Sequence, residues 1–348
     1  MVARRQEWFI LFAPDAPLQN DERGDIKHMK RREFVKAATS AIATAAIGKH
    51  VLAQQTERIG AAWYTQNRKF VQLPIARVAY VERGNGPFTA LFVHGFPLNS
   101  YQWRGALERL SNYRHCIAPD VMGLGFTEVP ATQPITPSTQ VKMLVSLLDR
   151  LNIHTVDLVG NDSGGLVSQL FVATHPRRVR TLLLTNCDVD KNSPPAEFVP
   201  LINLAKKGSF VNTVLVPEIA DKNLARSPSG LGGVYSYPDK LEDETLDMYL
   251  KPLASSDLRK RQADEYAVAL GENVLVPISE KLHHWKGPAR MVWGLKDTLF
   301  PVQGAEWLNK TLPGSHGIRR VDDAKLFFPE EMPDLIAEEA VKLWDVRV

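Results

Sequence analysis

The chain has 348 residues, 44% of them hydrophobic, with 23 prolines, 22 glycines and a formal net charge of +3, the make-up of an ordinary globular protein of one large or two small domains. No run of about 18 uncharged apolar residues occurs, which excludes a multi-pass membrane protein and predicts no stable membrane insertion. Residues 1–53 hold nine basic and six acidic residues, leaving 33 of each in the remainder, so no excess positive charge is left to track nucleic-acid phosphates.

In chain order, the first feature is "MKRREFVKAATSAIATAAIGKHVLAQQ", Met29 to Gln55. A basic start with the Arg31-Arg32 pair, a mildly apolar small-residue run and a small residue at Ala53 resemble a twin-arginine export signal. A short surface helix is the alternative. The expectation is a signal over residues 29–53, residues 1–28 as an N-terminal extension or misassigned start, and a periplasmic or secreted protein.

From residue 68 onward, short apolar runs alternate with helical patterns, the signature of a mostly parallel sheet with crossover helices. "RKFVQLP" and "ARVAYVERGNGP" read as an opening hairpin closed by the Gly-Asn-Gly-Pro turn. "TALFVHG", "RHCIAPD", "TVDLVGND", "VRTLLLTN", "ARMVWG" and "GIRRVD" supply six further strands, largely without the polar alternation of a half-exposed strand. "TPSTQVKMLVSLLDRLN" has helical spacing and a capping start. The alternation stops near residue 187 and resumes near 288, and the residues between read as amphipathic helices. The predicted organisation is a core from 54–186, a helical cap over 187–287 inserted after strand 6, and a second core part over 288–348. Such an insertion would cover the carboxyl ends of the strands, where open α/β sheets bind ligands. Cys116 and Cys187 both lie beside strand-like runs and form neither a metal cluster nor a disulfide framework; no cofactor or metal is expected.

The chemistry is concentrated in "LVGNDSGG". Strand, then Gly160-Asn161-Asp162-Ser163-Gly164, then helix, fits an elbow whose central residue is strained and needs small residues two before and two after. With Asp162 central both flanks are glycine; with Ser163 central, Asn161 would fill a tight position. Asp162 is therefore the expected nucleophile, with the Ser163 N–H facing the developing charge. A carboxylate nucleophile attacks carbon and makes an ester, which suits epoxides or alkyl halides rather than amides.

"HGFPLNSYQWR" (His94 to Arg104), "PDVMGLGFTE" (Pro119 to Glu128) and this elbow resemble the α/β-hydrolase superfamily, and within it the epoxide hydrolase and haloalkane dehalogenase branch, over essentially residues 65–345. The resemblance implies that the N–H groups of Phe96 and Ser163 form the oxyanion hole and that Asp297, in "VWGLKDTLFP", is the triad acid, with Asp188 and Asp190 as reserve candidates. His94 reads as structural, and His283 and His284 as solvated. Family members carry a histidine base just before an "EExP" stretch; counting back from Glu330-Glu331-Met332-Pro333 puts Leu326 there. Lys325 and His316 are poor substitutes. The tryptophan with which haloalkane dehalogenases hold the halide is replaced by Ser163, and the cap tyrosines that polarise an epoxide could be any of Tyr235, Tyr237, Tyr249 and Tyr266.

Three functions follow. The first is an exported hydrolase of a small organic electrophile, epoxide ahead of alkyl halide, working through an ester on Asp162. The second is a non-catalytic or single-turnover binding member that has lost its base. The third is an esterase using Ser163. In each the partner is a small molecule.

Overall fold

The computed structural model describes residues 59–345; the extension and the twin-arginine-type segment predicted from the sequence lie outside them. The eight predicted strands are present: β1 (Lys69–Gln72), β2 (Arg77–Arg83), β3 (Thr89–Val93), β4 (His115–Pro119), β5 (Val156–Asn161), β6 (Val179–Thr185), β7 (Ala289–Gly294) and β8 (Ser315–Val321). They form one sheet in the order β1-β2-β4-β3-β5-β6-β7-β8. β1 and β2 pair antiparallel, as does β2 with β4, and the other pairings are parallel. All of β5 is buried, as a central strand covered on both faces must be.

The hairpin turn differs from the expectation. β1 and β2 are joined through Leu73–Ala76, where the Leu73 N–H donates to Ala76 O, whereas Gly84-Asn85-Gly86-Pro87 leads from β2 into β3. Gly84 has φ +84°, and a Cβ there would meet Ser111 O at 2.3 Å. The glycine pair thus serves a close backbone crossing rather than the hairpin.

Helices follow the parallel strands. Pro137–Arg150 starts with a capping box: the Thr136 hydroxyl accepts from Thr139 N–H, and the Thr139 hydroxyl accepts from Thr136 N–H. Between β6 and β7 the described residues form helical segments and one isolated bridge, Val189 with Asn192. Asp243–Ala254 and Asp257–Ala269 coincide with the two amphipathic patterns read there. Arg104 ties this region to the core: it donates to Glu330 at 2.5 Å, and Glu330 accepts from the Tyr235 hydroxyl at 2.7 Å.

Because β3 has β4 on one side and β5 on the other, the chain leaves these neighbours in opposite directions, opening a crevice at their carboxyl ends. The segments after β3 and β5 flank it. No helix among the described residues is long and apolar enough to cross a membrane.

Candidate active site

The turn after β5 has the strained form its sequence requires. Asp162 has φ 54° and ψ −134°, a backbone state that costs a non-glycine residue on the order of 1–3 kcal/mol. Both glycine flanks are needed for space. A Cβ on Gly160 would meet the Ser168 hydroxyl at 2.5 Å, and one on Gly164 would meet Val93 O at 2.3 Å. Ser163 instead opens the helix Ser163–Thr174, and its hydroxyl accepts a hydrogen bond from the Tyr266 hydroxyl at 3.1 Å.

The segment after β3 comes to meet Asp162. Phe96 N–H donates to Asp162 Oδ1 at 2.7 Å, and the Ser163 N–H also donates to this carboxylate. Asp162 is 7% exposed. Burial pushes its pKa up to about 6 against these two N–H donors and a hydrogen bond from the Ser163 side chain. His94 is part of the scaffold: its Nε2 accepts from Val121 N–H at 3.0 Å, so Nδ1 carries the proton toward Gly95 O at 2.9 Å. The Pro119–Glu128 loop is structural too, since Asp120 accepts from the N–H groups of Ser100 and Phe126.

Asp162 and Ser163 line a cavity of about 170 Å³, together with Asp188, Glu218, Leu326 and a mainly apolar wall that includes five phenylalanines. Asp188 is buried, and burial together with the Asp162 charge raises it to about 8. Asp297 is not part of the lining. It is fixed by Leu299 N–H and by Asn186 Nδ2 at 2.8 Å, and burial, with a smaller contribution from the Asp162 charge, raises it to about 7. Asp190 has φ 48° and its carbonyl accepts from Asn273; it does not line the cavity.

Leu326 sits in the cavity wall, 2% exposed. Among the described residues no histidine, lysine or arginine lines the cavity. Lys325 turns to Gly233 O at 3.0 Å, His283 and His284 are exposed, and His316 is exposed on β8. Of the four tyrosines, Tyr266 alone contacts the elbow, and it stacks on Phe96 at 5.6 Å and 7°. Tyr235 bonds to Glu330, Arg104 donates to Tyr249, and Tyr237 is exposed.

Three polar side chains outside the expected site residues, Asn161, Gln102 and Asn186, support the site. Asn161 donates to Leu326 O and Asn186 O, both at 3.1 Å, and accepts from Gln102 at 2.5 Å. It thereby joins the segments after β3, β5, β6 and β8 around the nucleophile. Asn186 in turn accepts from Gly294 N–H at 2.7 Å while holding Asp297. A polar residue ending a wholly buried strand is the available sequence signal for Asn161, since such a group must find partners. No cluster of His, Cys, Asp and Glu among the described residues could hold a metal ion, and both cysteines are buried and unpaired.

Comparison with known proteins agrees with this architecture. Haloalkane dehalogenase 2 of Mycobacterium tuberculosis is 24% identical over 294 residues, 80% of this chain and 93% of that one. Epoxide hydrolase 2 of Siraitia grosvenorii is 40% identical over 119 residues, 33% of this chain and 37% of that one. Among solved structures, the enol-lactonase from Burkholderia xenovorans LB400 superposes with a TM-score of 0.64 at 20% identity, covering 80% of this chain and all of that one. The family described as alpha/beta hydrolase fold matches residues 91–331, and this chain belongs to it.

Proposed function

We propose that this α/β hydrolase uses Asp162 as a nucleophile to open a small organic electrophile, an epoxide ahead of an alkyl halide, through an ester intermediate. The observation that carries the reading is the 2.7 Å contact of Phe96 N–H with Asp162 Oδ1, made by a carboxylate on a strained elbow that lines an apolar cavity. Phe96 N–H holds Asp162 Oδ1, and a carboxylate oxygen turned to the cavity attacks carbon in this reading. Attack forms a bond from Asp162 oxygen to a ring carbon and breaks that carbon's bond to the ring oxygen. The resulting alkoxide needs a proton, and Asp188, raised to about 8 in the same cavity, is the donor this reading assigns. Asp188, now a carboxylate, can accept a proton from the water that attacks the ester carbonyl. The released alkoxide then takes the proton left on Asp162, and both groups return to their starting states.

Incubation with a reactive epoxide, followed by intact mass spectrometry and product analysis, tests the reading. The expected result is one epoxide mass added at Asp162 with slow diol release; neither adduct nor diol overturns it. Leu326→His should speed diol release by about 10²-fold, the lower end of what a positioned general base contributes. A second reading, a binding or single-turnover member, is favoured by Leu326 in the cavity wall. A pure binding member predicts no gain in turnover from Leu326→His, whereas a single-turnover member stalled at the ester should begin to turn over. Export is proposed on the Arg31-Arg32 pair in its signal-like setting; Arg31→Lys with Arg32→Lys should keep the protein in the cytoplasm, and unchanged secretion would sink the idea.

A further inference from the structure

The cavity carries more acid than its proposed reaction uses. Besides Asp162 and Asp188 it is lined by Glu218, from the helix Val216–Ala220 between β6 and β7. Glu218 is 4% exposed. One of its oxygens accepts a single long hydrogen bond, from Leu231 N–H at 3.4 Å, and no ion pair reaches it among the described residues. A buried carboxyl normally has a cationic or multiply hydrogen-bonded partner. Here the lining offers neither lysine, arginine nor histidine, and three carboxyl groups from three separate segments line one cavity.

The rest of the wall is mainly apolar, with five phenylalanines among prolines, leucines and valines. Phe96 meets both Phe198 and Phe210, with ring centroids 5.6 Å apart for Phe96 and Phe198 and 5.4 Å apart for Phe96 and Phe210. Phe300 and Phe327 complete the aromatic part of the lining. A neutral alkyl group would be served by such a wall without any carboxyl. A weakly hydrated cation is served by both, because ring faces attract it and a desolvated carboxylate pairs with it.

We propose that the electrophile this cavity accepts carries a quaternary ammonium or protonated tertiary amine group, and that Glu218 is the residue that receives it. The proposal rests on the Asp162 reading for the word electrophile and on the cavity alone for the charge. The bound cation supplies Glu218 with the counter-charge that the lining omits. It would also favour the ionised form of Asp162, the form that attacks.

Two isosteric pairs test it in the full-length protein. Glycidyltrimethylammonium and 4,4-dimethyl-1,2-epoxypentane differ in a nitrogen for a carbon, and intact mass spectrometry follows their labelling of Asp162. Choline and 3,3-dimethylbutan-1-ol make the same exchange without a reactive ring, and titration calorimetry follows their binding. The cationic member of each pair should win by about tenfold, and Glu218→Gln should remove that margin, bringing the cationic member level with the neutral one. Equal or tighter binding of 3,3-dimethylbutan-1-ol overturns the proposal, as does a cation preference that survives Glu218→Gln. The wild-type comparison stands even should that variant fail to fold. Choline preference without labelling by either epoxide would sink the Asp162 reading and keep the cation site.

Discussion

The two ends of β5 each carry a buried aspartate, in opposite circumstances. At the amino end Asp157, 0% exposed, accepts from Arg114 at 2.8 Å, from Arg180 at 2.8 Å and from the Thr181 hydroxyl at 2.8 Å. At the carboxyl end Asp162 has backbone donors from Phe96 and Ser163 and no cation beside it. Burial alone therefore does not separate a structural acid from a reactive one; the partners do. Asp157 is saturated with charged donors and knits β4, β5 and β6 together, since Arg114 immediately precedes β4 and Arg180 lies within β6. Asp162 keeps an oxygen and a charge available at a wall of the cavity, at the expense of a strained backbone.

Exchanging each for asparagine breaks that comparison most directly. Asp162→Asn should lower epoxide labelling by about 10³-fold or more while leaving the melting temperature unchanged or raised, because an uncompensated buried carboxyl has been removed. Asp157→Asn should do the reverse. It strands Arg114 and Arg180 and should cost about 3 kcal/mol of stability, with the labelling rate per folded molecule unchanged. Urea unfolding and labelling on the same two samples give the four numbers. An Asp162→Asn protein that labels normally, or an Asp157→Asn protein as stable as wild type, would erase the distinction.

The contrast extends to pH. Asp162 is raised from 3.8 to about 6, so the folded protein holds this proton at pH values where the unfolded chain has released it. Its contribution to stability is fully present below pH 3.8 and is lost as pH rises through about 6. Asp297 and Asp188, raised to about 7 and about 8, act in the same direction over a higher range. The stability of Asp162→Asn relative to wild type should therefore climb between pH 4 and 7 in urea titrations. Labelling by an epoxide should rise about tenfold per pH unit below 6 and then level off, since the carboxylate is the reacting form. A flat labelling profile from pH 4 to 8 would refute the assignment of the nucleophile.

Much of this was legible in the residues. Strands buried on both faces announce themselves as unbroken apolar runs, so β3 and β5 to β7 stand out. Gly160 and Gly164 mark the elbow because no Cβ fits there. The hairpin turn was misplaced for a physical reason: Gly84-Asn85-Gly86-Pro87 is the strongest local turn signal in its region, but the chain uses it to pass Ser111 and Arg114, residues far along the sequence. Glu218 was invisible for a related one. A glutamate in a short helix reads as a solvated face until the packing of that helix is known. Asn161, taken from sequence as an awkward neighbour to a serine nucleophile, instead ties four segments together through bonds to residues as distant as Leu326. The missing histidine was countable from the "EEMP" stretch, whereas Asp188 entering the cavity depends on the course of the chain beyond β6.

The smallest effect concerns the one tyrosine that contacts the elbow. Tyr266 donates to Ser163 at 3.1 Å and stacks on Phe96, so it touches both residues whose N–H groups hold the Asp162 carboxylate. Tyr266→Phe keeps the stack and removes a single hydrogen bond worth about 1 kcal/mol, and labelling should fall about fivefold. Tyr266→Ala removes the stack as well and should cost more. The size of the first loss is informative because Asp188 and Tyr266 compete for the role of acid. A positioned proton donor contributes about 10²-fold or more, so a loss of that size in Tyr266→Phe, with Asp188→Asn near wild type, would move the donated proton from the carboxyl to the phenol. A loss near fivefold, with Asp188→Asn the slower protein, leaves Tyr266 positioning Ser163 and keeps the chemistry with the acids that β5 and β6 bring to the cavity.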